Sequence, residues 1–449
     1  MERAGLAVAQ LALALRPHAK RVWVACGPGN NGGDGLEAAM QLHRWGRQVT
    51  VGLFGGEAQR PQDAARSLAR LQAAGLPFAE NPAQVPSHDL CVDALLGIGA
   101  SRAPEGPIRA AIEHINAGAG PVIAVDLPSG LHGTTGRTAG VVVQADWTLS
   151  LLTLKPGQFL GKGRDQCGEL WLNDLNGASV QPSAWLNGTW ATPRRPHDSH
   201  KGSYGDVTVV GGTKGMTGAA LLAASAALHG GAGRVLLGLL DSAAPTIFGH
   251  EPEIMIRQID QLDLHANTVV CGCGGGAVIS DYLTAVLTSP KPVVLDADAL
   301  NAVAANPEFL RLLQRRAGSL AATVITPHPL EAGRLLNMTA SQVQDDRIAS
   351  AQKLAFDLQC VVVLKGSGTV IAAPGELPVI NATGNAELAT AGTGDVLAGL
   401  IGARLATGCS ATDAACRAVY LHGATGDLRS ERSSRIGRMT ASELAHLLR

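Results

Sequence analysis

The chain of 449 residues carries 36 basic and 37 acidic residues, and 46% of its residues are hydrophobic while only 3% are aromatic. This length exceeds what one hydrophobic core usually organises, so we expect two domains or more. The balanced charge, without a basic stripe, argues against nucleic acid and against an anionic membrane surface as partners.

The cysteines and the first residues indicate a cytoplasmic protein. The eight cysteines are scattered without a CxxC pair, which is typical of buried thiols in a reducing compartment. Residues 1–21 mix acidic and basic side chains with apolar ones, and this pattern predicts an amphipathic helix rather than a secretory signal. Because no uninterrupted run of about 18 apolar residues occurs, we expect no membrane-spanning helix.

In the first half, short apolar runs alternate with helical patterns. Nearly continuous apolar strands favour a parallel sheet that is covered on both faces. Helices are predicted over 36–46 and 61–75, so this half is expected to be a doubly wound α/β domain. The predicted strands lie at 22–26, 49–54, 90–96, 122–127 and 147–152.

A second alternation of strands and helices begins near residue 207, without any repeat of the first half. Between the two halves lies a stretch rich in Pro, Ser, Asn and Gly, which is typical of a linker. We therefore expect two different α/β domains, at 1–178 and 200–449, joined by a linker at 179–199.

A glycine-rich loop follows the first strand at 24–39, with the sequence VACGPGNNGGDGLEAA. Such a loop directs backbone N–H groups and a helix N-terminus outward, which suits phosphate oxygens. The side chains of Asn30, Asn31 and Asp34 add groups that could hold a cation or a ribose hydroxyl. Taken alone, the loop could also be a tight turn with Asx caps.

Two aspartates end later strands of the first half and are each followed by a glycine-containing loop, Asp93 and Asp126. Ligands of open α/β sheets bind at the carboxyl edge of the strands, so both are expected near Asn30 and Asn31. Either aspartate by itself could be a helix cap or a turn former.

The first half resembles the NAD(P)H-hydrate epimerases, the YjeF N-terminal family, and the resemblance implies a Rossmann-like three-layer domain. The matching motifs are MERAG at 1–5, GPGNNGGDG at 27–35, DALLGIG at 93–99, DLPSG at 126–130 and LKPG at 154–157. By resemblance, Asn31, Asp93 and Ser129 would hold a potassium ion, and Asp126 would lie at the reacting carbon. The implied substrate-binding residues are Asn30, Asn31, Gly32, Gly33, Asp34, Gly97, Ile98, Gly99, Ala100, Ser101, Arg102, Ala103 and Asp126.

Two departures from that family concern the N-terminal domain. Family members usually carry further residues before the MERAG helix, so we expect this domain to lack its first helix. The basic residue that usually follows GGDG is replaced by the sequence LEAAM. Neither departure changes the residues implied for the potassium ion. Asn31, Asp93 and Ser129 all supply oxygen atoms, which are the ligands that a hard cation prefers.

The second half contains a glycine-rich turn that opens an apolar helix, GTGD at 392–395. Backbone amides at such a helix start suit the charge of a transferred phosphoryl group, and Asp395 could accept a proton from an attacking alcohol. The same residues could be an ordinary capped helix. The sequence from Lys365 to Thr369 predicts a glycine hairpin, which could cradle a nucleotide or be a hairpin alone.

Other polar residues follow strands of the same half. His328 and Glu331 follow one strand, and Asp296 and Asp298 follow another. A lone histidine is more often structural than catalytic, so His328 becomes a candidate only through its neighbours.

The second half resembles the ribokinase-like fold and, within it, the NAD(P)H-hydrate dehydratases, the YjeF C-terminal family. One departure is CGCGGG at 271–276, where the family commonly has GPGLG. By resemblance, Ala219, Gly276, His328 and Asp395 would contact the hydrate, while Lys365, Gly366, Ser367, Gly368, Thr369 and Gly394 would bind the nucleotide. The matching motifs are the segment 201–233, PEIM at 252–255, LDADALN at 295–301, TPHPLE at 326–331 and ATAGTGDVLAG at 389–399.

Together the two resemblances imply repair of hydrated NADH and NADPH. Asp395 would deprotonate the ring hydroxyl, which attacks the terminal phosphate of ADP, and the phosphorylated intermediate would then expel phosphate. We expect K⁺ in the first domain, Mg²⁺ in the second, ADP as co-substrate and a homo-oligomer. The alternative is a ribokinase-like kinase of small alcohols attached to a non-catalytic N-terminal binding domain.

Overall fold

The computed structural model describes residues 1–55, 60–100, 102–177, 181–191, 194–244, 247, 250–318, 321–432 and 438–448. The chain divides into two compact units, Met1–Gln181 and Pro182–Arg449. Both units are α/β with largely parallel sheets, which confirms the predicted fold class. Among the described helices, none is both long enough and apolar enough to cross a membrane.

The first unit is built on a parallel sheet of seven strands in the order β3-β2-β1-β4-β5-β6-β7. Its strands are β1 (Arg21–Cys26), β2 (Gln48–Leu53), β3 (Phe78–Ala79), β4 (Leu90–Ala94), β5 (Val122–Val125), β6 (Trp147–Leu151) and β7 (Glu169–Asn173). Its helices are α1 (Glu2–Leu15), α2 (Asn30–Arg44), α3 (Gln62–Ala73), α4 (Gly106–Ala117) and α5 (Gly163–Cys167).

The side chains of the buried strand β1 pack alternately into two hydrophobic cores, one on each face of the sheet. Val22 and Val24 belong to the core that includes α1 and α2, whereas Trp23 belongs to the core that includes α4. The strand order reverses at β1, which pairs with β2 on one side and with β4 on the other. Ligands of open α/β sheets bind at this kind of reversal, where the carboxyl ends of β1 and β4 meet.

The second unit contains a sheet of ten strands in the order β11-β10-β9-β12-β13-β14-β15-β16-β17-β8. Its strands are β8 (Trp185–Leu186), β9 (Asp206–Gly211), β10 (Arg234–Leu239), β11 (Met255–Gln258), β12 (Thr268–Cys271), β13 (Val293–Leu295), β14 (Thr323–Ile325), β15 (Val361–Leu364), β16 (Val370–Ala372) and β17 (Val379–Ile380). The sheet is parallel from β11 to β15, and β16 is antiparallel to both β15 and β17.

Ten helices surround this sheet within the described residues, and α6 packs closely against α13. They are α6 (Thr217–His229), α7 (Ser280–Leu287), α8 (Asp298–Ala305), α9 (Pro307–Arg315), α10 (Pro329–Leu336), α11 (Ala340–Asp345), α12 (Arg347–Leu358), α13 (Thr393–Ala406), α14 (Ala411–Arg432) and α15 (Ala441–Leu447). The face of the sheet under α6 and α13 carries the large core of alanine, valine and leucine side chains.

The segment 179–199, expected to be a linker, differs from that expectation in its central part. Trp185 and Leu186 form the edge strand β8, which pairs in parallel with β17. The buried amide of Asn187 donates to Asn381 Oδ1 at 3.0 Å and to the Cys416 carbonyl at 2.8 Å. The sequence gives no hydrophobic pattern that would predict this strand, because it is two residues long and both of its side chains are exposed.

Candidate active sites

An oxygen-rich cluster lies at the carboxyl end of β4 in the first unit. The fully buried Asp93 accepts hydrogen bonds from the Ser129 hydroxyl at 2.6 Å and from the Ser129 N–H at 2.8 Å. Asn31, in the first turn of α2, donates its amide to the Leu96 carbonyl at 2.9 Å. The structure therefore brings together Asn31, Asp93 and Ser129, the residues to which the family resemblance assigns a potassium ion.

The chemistry of this cluster fits a hard cation. Burial raises the pKa of Asp93 to about 6, because removing a carboxylate from water penalises its charged form. A bound cation would compensate that charge, and carboxylate, hydroxyl, amide and carbonyl oxygens are the ligands a hard cation prefers.

The glycines of the 27–35 loop are required by a close approach of backbone to backbone. A Cβ atom on Gly32 would overlap the carbonyl oxygen of Gly27, and one on Gly27 would overlap the carbonyl oxygen of Leu95. The turn therefore brings the start of α2 against the end of β4. Asp34 lies in the first turns of this helix. Burial raises the pKa of Asp34 to about 7, and the negative charges of Asp126 and Glu37 add to this rise.

Asp126 lies just after β5 in a left-handed conformation with φ of 68°, which is rare for a residue with a side chain. Such strain persists where the surroundings fix the residue, and functional sites are common examples. Here the surroundings are a salt bridge from Lys155 Nζ and a hydrogen bond from the Leu151 N–H at 3.1 Å. Gln158 Nε2 also donates to the Asp126 carbonyl at 3.0 Å.

Sequence reasoning did not assign a role to Lys155, although it lies in the quoted LKPG motif. The side chain is buried, and its ammonium also donates to the Leu151 carbonyl at 2.7 Å and to Ser150 Oγ at 3.3 Å. A buried lysine needs an anionic partner, so its position after an apolar strand was the available signal.

The 97–103 loop borders the oxygen-rich cluster at one end. A Cβ on Gly97 would lie 3.2 Å from the Asn31 Cβ, and the Ala100 N–H donates to the Gly97 carbonyl at 3.1 Å. Ile98 is exposed and lies beside Gly133. Arg102 is also exposed, while Ser101 lies outside the described residues.

In the second unit, Asp395 lies in the first turn of α13, after Gly392 with φ of 92°. Burial, and then the nearby Asp296 carboxylate, raises the pKa of Asp395 to about 7. The Cys273 thiol lies beside Asp395 and counteracts part of this rise in the pKa. The polar side-chain atoms of Cys273, Asp296 and Asp395 all lie within 4.8 Å of one another. Sequence reasoning missed this role of Cys273, noting only that CGCGGG departs from the usual family pattern.

A salt bridge lies beside Asp395. Lys365 Nζ is 2.6 Å from Asp296 Oδ1, and Thr326 Oγ1 donates to the same oxygen at 2.8 Å. A Cβ on Gly394 would lie 3.4 Å from Lys365 Nζ, so the lysine ammonium faces the glycine start of α13. The structure thus brings together the predicted base and two predicted nucleotide-binding residues.

His328 caps the start of α10 as well as lining this region. Its Nδ1 accepts from the Leu330 N–H at 3.0 Å, and its Nε2 lies 3.3 Å from Glu331 Oε1. Burial, and then the positive charge of Lys365, lowers the pKa of His328 below its usual value. The imidazole is therefore neutral at neutral pH.

The two remaining predicted hydrate contacts lie on neighbouring segments, one on a loop and the other at the start of a helix. The Gly276 N–H donates to Asp298 Oδ2 at 2.8 Å, and Gly276 has φ of 54°. Ala219, in the first turn of α6, lies 3.0 Å from a Cβ built on Gly274. The glycines of the 271–276 segment therefore place its backbone against the start of α6.

The 365–369 hairpin joins β15 to β16. Hydrogen bonds from the side chain of Arg347, which is 1% exposed, stabilise it. Arg347 Nη2 donates to the carbonyls of Leu364 at 3.0 Å, Lys365 at 3.1 Å and Gly368 at 3.3 Å. A Cβ on Gly366 would lie 3.0 Å from this guanidinium. Sequence reasoning missed Arg347, which appears in the sequence as one polar residue at the start of a helix.

The fold and the two sites define a two-domain α/β enzyme, and comparisons with known families agree with that description. Residues 207–449 match the family profile described as NAD(P)H-hydrate dehydratase, and residues 1–157 match that of the YjeF-related protein N-terminus. A Bacillus subtilis ADP/ATP-dependent NAD(P)H-hydrate dehydratase, crystallised with ATP and Mg²⁺, is 34% identical with a TM-score of 0.51. The match covers 57% of this chain and 92% of that chain.

Full-length relatives contain both domains in the same order. The bifunctional NAD(P)H-hydrate repair enzyme Nnr of Escherichia coli is 39% identical, over 99% of this chain and 87% of the relative. The enzyme of the same name from Coxiella burnetii is 36% identical, over 100% of this chain and 93% of the relative. This chain belongs to the family of bifunctional NAD(P)H-hydrate repair enzymes, which confirms both resemblances.

Proposed function

We propose that this chain repairs hydrated NADH and NADPH in two steps. The first unit interconverts the R and S hydrates, and the second dehydrates the S hydrate with ADP, giving NAD(P)H, AMP and phosphate. A 44% identical relative from Neisseria meningitidis, matching 56% of this chain, is an ADP-dependent (S)-NAD(P)H-hydrate dehydratase. The observation that carries the proposal is the half-buried Asp395 carboxylate beside the Lys365–Asp296 pair at the start of α13.

In the dehydratase step, Asp395 accepts the proton of the ring hydroxyl. A base with a pKa near 7 suits this task, since it is partly ionised at neutral pH and still basic enough to accept a proton. The hydroxyl oxygen forms a bond to the terminal phosphorus of ADP, and the bond to AMP breaks. Phosphate then leaves the ring carbon with the bonding electrons, pushed by the ring nitrogen, and loss of a proton from the neighbouring carbon restores the dihydronicotinamide.

The nucleotide contacts follow from the positions of the hairpin and of α13. Lys365 supplies positive charge, the 366–369 hairpin supplies backbone groups, and the glycine start of α13 supplies N–H groups toward the phosphates. Mg²⁺ would enter with those phosphates, and the carboxylates of Asp296 and Asp298, which follow β13, would supply oxygen ligands for it. The ion would neutralise phosphate charge during transfer.

In the epimerase step, Asp126 lies at the reacting carbon and Lys155 fixes its carboxylate. Asn31, Asp93 and Ser129 would hold K⁺, whose charge would help to fix an anionic nucleotide next to the glycine-rich loop. The loops at 30–34 and 97–103 provide the surrounding contacts. Because the dehydratase accepts only one epimer, a linked epimerase allows both hydrates to be consumed. We also propose a homo-oligomer acting in the cytoplasm.

The test is incubation of the full chain with mixed hydrate epimers, ADP, Mg²⁺ and K⁺, following the absorbance of regenerated NADH and the release of phosphate. Complete recovery with one phosphate per NADH is expected. Recovery that stops at the share of one epimer would refute the epimerase. A stable phosphorylated product, from the hydrate or from a panel of small alcohols, would support a kinase instead.

A further inference from the structure

A cluster of two histidines and one glutamate lies in the second unit, away from the proposed active site. Glu251 is buried, and its Oε1 is 2.9 Å from His229 Nε2 and 3.2 Å from His446 Nε2. The three ligand-capable atoms all lie within 4.8 Å of one another. The Ser225 hydroxyl also donates to Glu251 Oε1 at 2.6 Å. The three residues come from the end of α6, from the segment before β11 and from α15.

The cluster is separated from the dehydratase chemistry by the length of α6. Ala219, a predicted hydrate contact, lies in the first turn of that helix, whereas His229 is its last residue. The two residues are ten positions apart, so at 1.5 Å of rise per residue they are separated by about 15 Å along the helix. A ligand bound at His229 would therefore be distinct from a ligand bound at Ala219.

The spacing of the three groups suits a tetrahedral metal ion. With bond lengths of about 2.0–2.1 Å to nitrogen and oxygen, neighbouring ligand atoms of a tetrahedron lie about 3.3 Å apart. The Nε2–Oε1 separations of 2.9 and 3.2 Å are close to that value. The two imidazole rings stand nearly perpendicular at 83°, with centroids 5.0 Å apart, and the Nε2 atoms of both approach the same Glu251 oxygen.

Charge and access also favour a cation. A metal ion binds imidazole nitrogens in their neutral form, and it would compensate the charge of the Glu251 carboxylate, which is poorly solvated because that side chain is only 10% exposed. The His446 side chain is 49% exposed, so an ion could enter from solvent and retain a water ligand. Two histidines with a carboxylate are a known zinc ligand set.

We propose that His229, Glu251 and His446 bind one divalent transition-metal ion, with Zn²⁺ as the best fit, and that the ion fastens α15 to α6. Both helices pack against α13, which carries Asp395. The site would therefore stabilise the helical layer that supports the dehydratase. This inference does not depend on the proposed function, because it concerns binding and stability.

The test uses the full chain without an affinity tag, stripped of metal by chelation and titrated with Zn²⁺ in a calorimeter. One equivalent should bind, and the melting temperature of the second unit should rise by about 5–10 °C at a Zn²⁺ concentration 100 times Kd. His446→Ala and Glu251→Gln should each weaken binding by at least about tenfold. The matched control is His265→Ala, an exposed histidine elsewhere in the unit, which should bind like the parent.

Cobalt distinguishes this site from the Cys273–Asp296–Asp395 cluster. Co²⁺ bound by the two histidines and Glu251 should show ligand-field bands without a thiolate charge-transfer band, since no sulfur is coordinated. Loss of those bands in His446→Ala, whose exposed side chain can be removed without opening the core, would support the proposal. No binding by the parent, equal binding by His446→Ala, or a thiolate band would overturn it.

Discussion

The Asp395 carboxylate has a raised pKa of about 7 because it is buried close to the Asp296 carboxylate. A general base must be deprotonated, so the dehydratase kcat/KM should rise about tenfold per pH unit below this value and level off above it. The measurement is the pH profile of NADH recovery from the S hydrate. A kcat/KM that stays constant from about pH 5.5 to about pH 8.5 would contradict the assignment of Asp395 as the general base.

Replacement of the same carboxylate gives a second prediction at this scale. Asp395→Asn retains the shape of the side chain but removes the base, so kcat should fall by about 10²–10⁴-fold. ADP binding, measured by calorimetry, should change little because the nucleotide contacts remain. Retained turnover, or loss of ADP binding together with turnover, would argue for a different role.

In the first unit, Lys155→Met removes the salt bridge that fixes Asp126. We expect epimerisation of the R hydrate to fall by about 100-fold or more, while dehydration of the pure S hydrate is unchanged. Because the partly buried Asp126 carboxylate loses its charged partner but keeps the hydrogen bond from the Leu151 N–H, the first unit should also lose about 1–3 kcal/mol of stability. Exchange between epimers and thermal unfolding measure the two effects, and Lys155→Arg should retain more of the stability.

At the scale of elements, the 365–369 hairpin depends on α12 through Arg347. Arg347→Met leaves two hairpin carbonyls and the carbonyl of Leu364, at the end of β15, without this donor, so we expect the Kd for ADP to rise about tenfold. Lys353→Met on the same helix removes only an exposed pair with Asp357 and is the matched control. Equal ADP affinity in both variants would show that the guanidinium does not position the hairpin.

The elements also show what the sequence could and could not predict. The convergence of Asn31 and Asp93 was predictable, because each lies at or beyond the carboxyl end of a strand at the same edge of a parallel sheet, whereas Ser129 was assigned through the family resemblance alone. The partnerships of Lys155 with Asp126 and of Arg347 with the hairpin were not, because they depend on side-chain directions set by tertiary packing. Strand β8 escaped prediction because two exposed residues carry no hydrophobic period.

For the whole molecule, the two proposed activities should be separable and able to complement each other. Asp126→Asn should stop recovery at the share of the S hydrate, and Asp395→Asn should give almost none. Because the hydrate can diffuse between molecules, mixing the two variants should restore full recovery. The amount of NADH at the end point measures this, and failure to exceed Asp126→Asn alone would show that one of the assignments is wrong.

The pairing of β8 with β17 determines where the chain can be divided for laboratory work. A fragment starting at residue 200 would lack Trp185 and Leu186, and the backbone groups of β17 on the side facing away from β16 would lose their partners. Open sheet edges recruit other chains, so such a fragment should precipitate or self-associate more readily than one starting at Pro182. Expression trials of the second unit should therefore keep the segment that composition alone suggests discarding.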